Sequence, residues 1–307
     1  MNGASSRPWS QPDPRQLPPI GAGRPFVDII RLLRERAAEG KVEGYAELKI
    51  VRRQADDGGS GLIQRDDVLL SRWFGDDSPD PCADEIWQRL SDGTAHGVRT
   101  IRWESDRDLQ AALLSEIETY VLSLPEAAGL PVEQAFEVSI GGRPCNGHIY
   151  FNPSRDAAAG DDGAGRHAED WQILSPMRGG ETGVEGLNRR LQRLFRTSAR
   201  ALAEPDEPRY RKISKPMGSQ GILYGDKVIN LANGKRKDVF PELNPAYLAN
   251  GEIGVAVGKF KGKSAKYKGL PWKLEVEFST QPGFKFGFSG RDFGVTFVVV
   301  PSPCRPL

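Results

Sequence analysis

Ile222-Leu223-Tyr224-Gly225-Asp226-Lys227-Val228-Ile229-Asn230-Leu231 opens the stretch, Gly221 to Phe288, around which the chain is organised. It reads as a strand with a Gly-Asp turn inside it. Asn250-Gly251 then leads into Glu252-Ile253-Gly254-Val255-Ala256-Val257-Gly258, where Ile253, Val255 and Val257 share one face and small residues take the other. After a lysine-rich loop, Trp272-Lys273-Leu274-Glu275-Val276-Glu277-Phe278 alternates apolar and charged residues without a break, and Phe284, Phe286 and Phe288 repeat the period of two. Alternation of this kind predicts strands with one face in a core and the other in water. Short strands joined by Asn-Gly and Gly-Asp signals predict a small closed barrel rather than an open sheet.

Outward from this module, 307 residues, 38% of them hydrophobic and 27% charged, supply enough apolar surface for a sizeable core and room for two domains. A net charge of +1 gives no global field for nucleic acid, so any basic surface must be local. Cys82, Cys145 and Cys304 are too few and too scattered for a disulfide framework, and His96, His148 and His167 match no metal-ligand spacing. Free thiols in a reducing compartment, with no metal site, are the expectation. No apolar run approaches a membrane span and no signal-peptide stretch opens the chain, which predicts a soluble, cytoplasmic protein without a membrane partner.

Residues 1–12 read as a disordered leader. Pro25 marks a helix start, with Phe26, Ile29, Ile30, Leu33 and Ala37 on one face and Gly40 at its end. Glu47–Gln54 reads as a strand ending in an arginine pair. Ser105-Asp106-Arg107-Asp108 resembles a capping box opening a helix to about Leu124, with Leu109, Leu113, Ile117 and Val121 spaced by four. Residues 153–170 are Asp-, Ala- and Gly-rich and read as a flexible surface loop. Trp171–Leu174 reads as a short buried strand, and a helix from about Val184 carries Leu187, Leu191, Leu194 and Phe195 as an apolar stripe.

Four separated pieces carry a family resemblance: Asp13-Pro-Arg-Gln-Leu-Pro-Pro-Ile20; Val51-Arg-Arg-Gln54; Gln172-Ile-Leu-Ser-Pro-Met-Arg178 with Leu187-Asn188-x-x-Leu191-Gln192; and Gly225-Asp-Lys-Val-Ile-Asn230 with Asn250-Gly-Glu-Ile-Gly254. In this order they resemble the C-terminal half of RecD-like superfamily 1 DNA helicases, whose UvrD-like C-terminal domain carries an inserted Src-homology-3-like barrel. The resemblance implies an α/β fold: a partial RecA-like parallel sheet with helices, plus the small barrel. It places the end of the first RecA-like domain and a connector at 13–60, the second RecA-like domain at 61–205, the barrel at 209–290, and the last core strand and tail at 293–307. By the same resemblance Gln16 senses the nucleotide γ-phosphate and Arg53 acts as an arginine finger on the transferring phosphoryl group. By the resemblance Ser175, Pro176 and Arg178 match helicase motif IV at the edge of the second domain, and Ser175, Arg178 and Asn188 are candidate nucleic-acid-binding residues.

The departures matter as much. The sequence holds no Gly-x-x-x-x-Gly-Lys-Ser/Thr, the family's own Asp-Glu pair that holds Mg²⁺ and orients water is missing, and Pro12 stands where the family has glycine. The long segment that ends in the family's Thr-x-His-Lys-x-Gln-Gly-Ser-like motif is missing between Asp292 and Phe293, and the arginine of the last helicase motif is absent. ATP and Mg²⁺ are thus implied by the family but not expected on this chain alone. The expectation is a fragment or degenerate relative of a helicase that binds single-stranded DNA weakly. The alternatives are a subunit of a split helicase whose phosphate loop lies on a separate chain, and a non-enzymatic protein-interaction module.

Lys259, Lys261, Lys263, Lys266, Lys268 and Lys273, interleaved with Phe260, Tyr267 and Trp272, make the candidate DNA surface, with Lys235-Arg236-Lys237 as a second basic knot. The competing reading is a solvated lysine loop with its aromatics in the barrel. Finally, Phe293–Val300 is a continuous apolar run with the composition of a central parallel strand. It is expected to pair beside Trp171–Leu174, with only Ser289–Asp292, about 13–14 Å of chain, leading to it from the barrel.

Overall fold

A computed structural model describes residues 25–40, 66–73, 84–156, 160–177, 179–242, 246–258, 273–289, 292 and 297–299. Chain contacts divide the protein into two units, Met1–Arg102 with Arg305–Leu307, and Trp103–Cys304. The first contains helices α1 (Pro25–Ala38), α2 (Asp66–Trp73) and α3 (Glu85–Asp92). Helix α1 begins at Pro25 as expected, because proline's fixed φ suits a first turn and its missing N–H is not needed there. Gly40, with φ +69°, follows its end. Asp66 ties α2 to α3: it accepts from Arg89 and from the His96 N–H, both at 2.7 Å.

The second unit opens on helix α4 (Asp106–Ser123), whose capping box is complete: the Ser105 hydroxyl accepts from the Asp108 N–H and the Asp108 carboxylate accepts from the Ser105 N–H. Helix α5 (Val132–Ser139) and a hairpin of β1 (Arg143–Cys145) with β2 (His148–Tyr150) follow. Next come α6 (Val184–Phe195) and α7 (Thr197–Ala203). On α6, Leu187, Leu191 and Phe195 are buried as the periodicity predicts, but Leu194 is 47% exposed. At 3.6 residues per turn it lies about 60° from Leu191 and about 100° from Phe195, at the edge of the stripe where the packing against α6 ends.

The remaining strands are β3 (Lys227–Asn230), β4 (Gly234–Lys235), β5 (Val239–Phe240), β6 (Tyr247–Leu248), β7 (Ile253–Val257), β8 (Leu274–Phe278), β9 (Lys285–Phe288) and β10 (Phe297–Val299). Six of them form a sheet in the order β10-β3-β7-β8-β9-β5, and β4 pairs with β6 beside it. Register follows the pleat: Val228 faces Gly254, Gly254 faces Phe278, Ala256 faces Val276 and Val276 faces Phe286. These residues, with Leu274 and Phe288, make an inner core closed by Ile222, Ala246 and Leu248.

Mixed α/β architecture is what the sequence predicts, but three corrections follow. Every strand pair among the described residues is antiparallel, and none belongs to a parallel sheet. Phe297–Val299 pairs antiparallel with β3, Phe297 opposite Asn230, and not with Trp171–Leu174, which forms no strand. An apolar run is compatible with either sheet type; here the place beside β3 lies four strand spacings, about 19 Å, from β9, and the eight residues between β9 and β10 can span about 26–29 Å. Among the described residues β10 and β5 are the two edges of this sheet, and no pairing between them closes it.

The second face of the sheet is not in water. Ile229, Ile253, Val255 and Val257 pack with Ile117, Val121, Phe136, Leu191 and Phe195 of α4–α6 in one continuous core. A 3-10 helix at Ala164–Glu169, inside the stretch read as a surface loop, lies against β7 and β8 with Ala164, Gly165 and Ala168 buried. It can do so because Gly165 has no side chain: a Cβ there would stand 2.6 Å from the Glu277 carbonyl oxygen.

Candidate functional site

Between the helical layer and the sheet lies a buried charge cluster centred on Arg196, which follows α6 directly. The turn Leu223–Asp226 presents Asp226 to it, and Gly225 makes that turn possible with φ +84° and a Cβ position only 2.2 Å from the Phe151 ring. Arg196, 2% exposed, donates to Asp226 at 3.1 Å, to the Glu137 carboxylate on α5 and to the Tyr224 carbonyl, and lies over the Phe151 ring. Asp226 also accepts from Gln192 at 2.7 Å and from the Leu223 N–H at 2.9 Å. Tyr224 completes the cluster, its hydroxyl accepting from the Phe151 N–H at 2.6 Å; burial raises its pKa.

Burial pushes the Glu137 carboxyl up to about 7, outweighing Arg196, whose charge is shared with Asp226; Glu133 and Asp226 add to the upward shift. A carboxyl that holds its proton more tightly folded than unfolded stabilises the fold while protonated. That contribution is complete below the ordinary value of 4.5 and is lost as pH rises through about 7. The thermal midpoint is therefore expected to fall between about pH 5 and pH 8, by up to about 3 kcal/mol of stability, and Glu137→Gln to flatten that slope. Thermal melts of both proteins across this range check it; equal slopes would remove Glu137 as the cause.

A second buried carboxylate, Glu277 on β8, accepts from three backbone N–H groups: Ser154 and Gly283 at 2.8 Å and Gly165 at 2.9 Å. Alternation places it on the face predicted to meet water, yet it is fully buried. On the same face, Lys227 of β3 donates to the Trp171 carbonyl and lies 5.3 Å from that ring's centre. Burial lowers its pKa to about 8, with Asp170 and Glu169 opposing. The cavity beside it, lined by Trp171, Asn188, Gln192, Arg196 and Lys227 among others, is about 30 Å³. That holds a water molecule, not a nucleotide.

The sequence candidates divide sharply. Gln16, Arg53, Arg178, Lys261, Lys263, Lys266 and Tyr267 lie outside the described residues. Ser175 is buried and bonds within its own loop, to the Thr182 carbonyl at 3.1 Å. Asn188 is buried on the inner face of α6. Arg236 pairs with Asp292 at 3.2 Å and stacks 4.3 Å from the centre of Phe288, so its charge is used inside the fold. Lys273 is held by both oxygens of Asp238 at 2.8 Å. Lys235 is exposed on β4, opposite Tyr247.

What sequence reasoning missed is a groove of about 640 Å³ lined by Glu181, Gly186, Arg189, Gln192, Arg193 and Arg200. The signal was present: from Val184 to Ala203 there are five arginines against the single carboxylate of Glu185. Among the described residues no group of three or more His, Cys, Asp or Glu side chains is placed to hold a metal, and no helix is long and apolar enough to cross a membrane.

The geometry defines a class by architecture: an antiparallel sheet covered on one face by helices and sealed by buried carboxylates. No family model, no curated protein and no solved structure matches the chain.

Proposed function

We propose that this chain is a fragment or degenerate relative of a RecD-like superfamily 1 DNA helicase that binds single-stranded DNA weakly and has no ATPase activity of its own. In this reading the six-stranded sheet with its aromatic inner core corresponds to the inserted Src-homology-3-like barrel, and α4–α7 to helices of the second RecA-like domain. One observation carries it. Two of the four separated motifs behind the resemblance, the two within the described residues apart from Arg178, interlock through buried side chains: Gln192 of Leu-Asn-x-x-Leu-Gln donates to Asp226 of Gly-Asp-Lys-Val-Ile-Asn at 2.7 Å. Asn230 of the latter motif in turn donates to the Ala249 carbonyl at 2.7 Å, and its own carbonyl accepts from the Gly251 N–H at 2.8 Å. A resemblance spread over unrelated surface positions would have no such common centre.

ATP and Mg²⁺, which the family uses, do not fit the described residues. These supply neither a glycine-rich loop of backbone amides for phosphates nor a metal-holding carboxylate group. Phosphoryl transfer depends on positioning and charge stabilisation, so two sensor residues without that apparatus cannot supply it. The purified 307-residue chain is expected to release phosphate from ATP no faster than buffer, with or without single-stranded DNA. Release abolished by Gln16→Ala or Arg53→Ala would overturn this. A labelled oligothymidylate should bind at about 50 mM salt and dissociate as salt rises; no binding at low salt would remove the DNA part of the reading.

A further inference from the structure

We infer that the arginine groove of α6 and α7 is a binding site for the sugar–phosphate backbone of a single-stranded nucleic acid. This rests on the single-strand reading above and names where the strand lies. The chain carries a net charge of only +1, yet its arginines concentrate here and divide by direction. Arg196 is spent inside the fold on Glu137 and Asp226, and Arg190 donates to Gln110 at 2.6 Å. Arg189 and Arg193 instead stand exposed, with Nε of each donating to a carbonyl one turn back, Glu185 and Arg189 respectively, both at 3.2 Å. Among the described residues neither has a carboxylate within ion-pair distance. Arg200 joins them from α7, its guanidinium 3.6 Å from an exposed Glu204. Glu181 is the one acidic residue of the lining.

A guanidinium presents a planar fork of donors that matches two phosphate oxygens, and it does not lose its charge. Positions four apart on a helix are separated by about 6 Å along its axis, so Arg189 and Arg193 can engage successive phosphates of an extended strand. The groove offers nothing that reads bases. Its floor amide, Gln192, is committed to the Gly221 carbonyl at 3.3 Å and to Asp226, and no aromatic ring lines it for stacking. The strand therefore lies phosphates inward and bases outward, and binding is independent of sequence.

The test compares three proteins by fluorescence anisotropy on a labelled oligothymidylate: the parent chain, the triple variant Arg189→Glu, Arg193→Glu, Arg200→Glu, and the loop variant Lys261→Glu, Lys263→Glu, Lys266→Glu. All three groove arginines are exposed, and a milder triple glutamine variant, with urea midpoints for each protein, separates lost binding from lost fold. The groove variant is expected to bind roughly tenfold more weakly or worse at low salt, and to lose about 2 from the slope of log affinity against log salt, since three phosphate contacts disappear. If the groove variant binds like the parent while the loop variant does not, the groove is overturned and the single-strand reading stands. If the parent does not bind at low salt, both fall.

Discussion

Glu277→Ala is expected to lower the stability of the chain by about 3–6 kcal/mol, enough to leave much of it unfolded without denaturant. The reason is that Glu277, fully buried, accepts from the backbone N–H groups of Ser154, Gly165 and Gly283. Removing the acceptor leaves the Ser154 and Gly165 donors without a partner in a buried place, at about 1–3 kcal/mol each, with a smaller loss at the part-buried Gly283. Total stabilities of single domains are about 5–15 kcal/mol, so this loss is a large share. Glu275→Ala, two residues earlier on the same face of β8, supplies the contrast. Its carboxylate pairs with Lys285 at 3.1 Å near the surface, and its loss is expected to cost about 1 kcal/mol or less. Urea midpoints followed by circular dichroism decide it: equal midpoints for the two variants would mean that Glu277 holds nothing together.

Arg196→Met is expected to cost about 3–5 kcal/mol, the range for breaking a buried ion pair from one side. Methionine fills the space but leaves Glu137 without its cation, and takes from Asp226 one of its three donors. A second change should recover part of the loss: Glu137→Gln removes the charge that Arg196→Met strands. The double variant is therefore expected to be more stable than the sum of the single effects. Coupling below about 0.5 kcal/mol would mean that the two residues act independently and the cluster is not a unit.

Much of this fold can be read in the sequence, and the legible parts share a cause. The start of α1 at Pro25, the Ser105–Asp108 capping box and the shared face of Ile253, Val255 and Val257 are all set by a residue and its near neighbours. Backbone sterics, local hydrogen bonds and side-chain period act over a few residues, so the order of residues alone determines them. Which faces are buried is another matter. The alternation in Trp272–Phe278 says that Glu275 and Glu277 share a face, but not that a helical layer and the turn at 164–169 cover it at Glu277 and leave Glu275 nearer the surface. Likewise the apolar run at 293–300 says only that it pairs with something; the free edge of β3 decided the partner.

The candidate site follows the same division. The arginines of α6 are plain in the sequence, and their count already announces a basic helix. Their roles are not, because the direction α6 faces comes from packing and Arg196 stands just past its end, outside the helical periodicity that Arg189 and Arg193 share. Phe195 and Leu191 turn one side of α6 into the core and leave Arg189 and Arg193 facing outward, whereas Arg196 leaves helical geometry at the junction of α6 and α7, and that break in the helix delivers it to Glu137 and Asp226. Sequence order by itself determined the helices, the strand pleat and the local caps of this protein. Tertiary structure alone decided which charges are sealed inside and which remain available, because burial is set by what lies opposite a side chain, not by its neighbours along the chain.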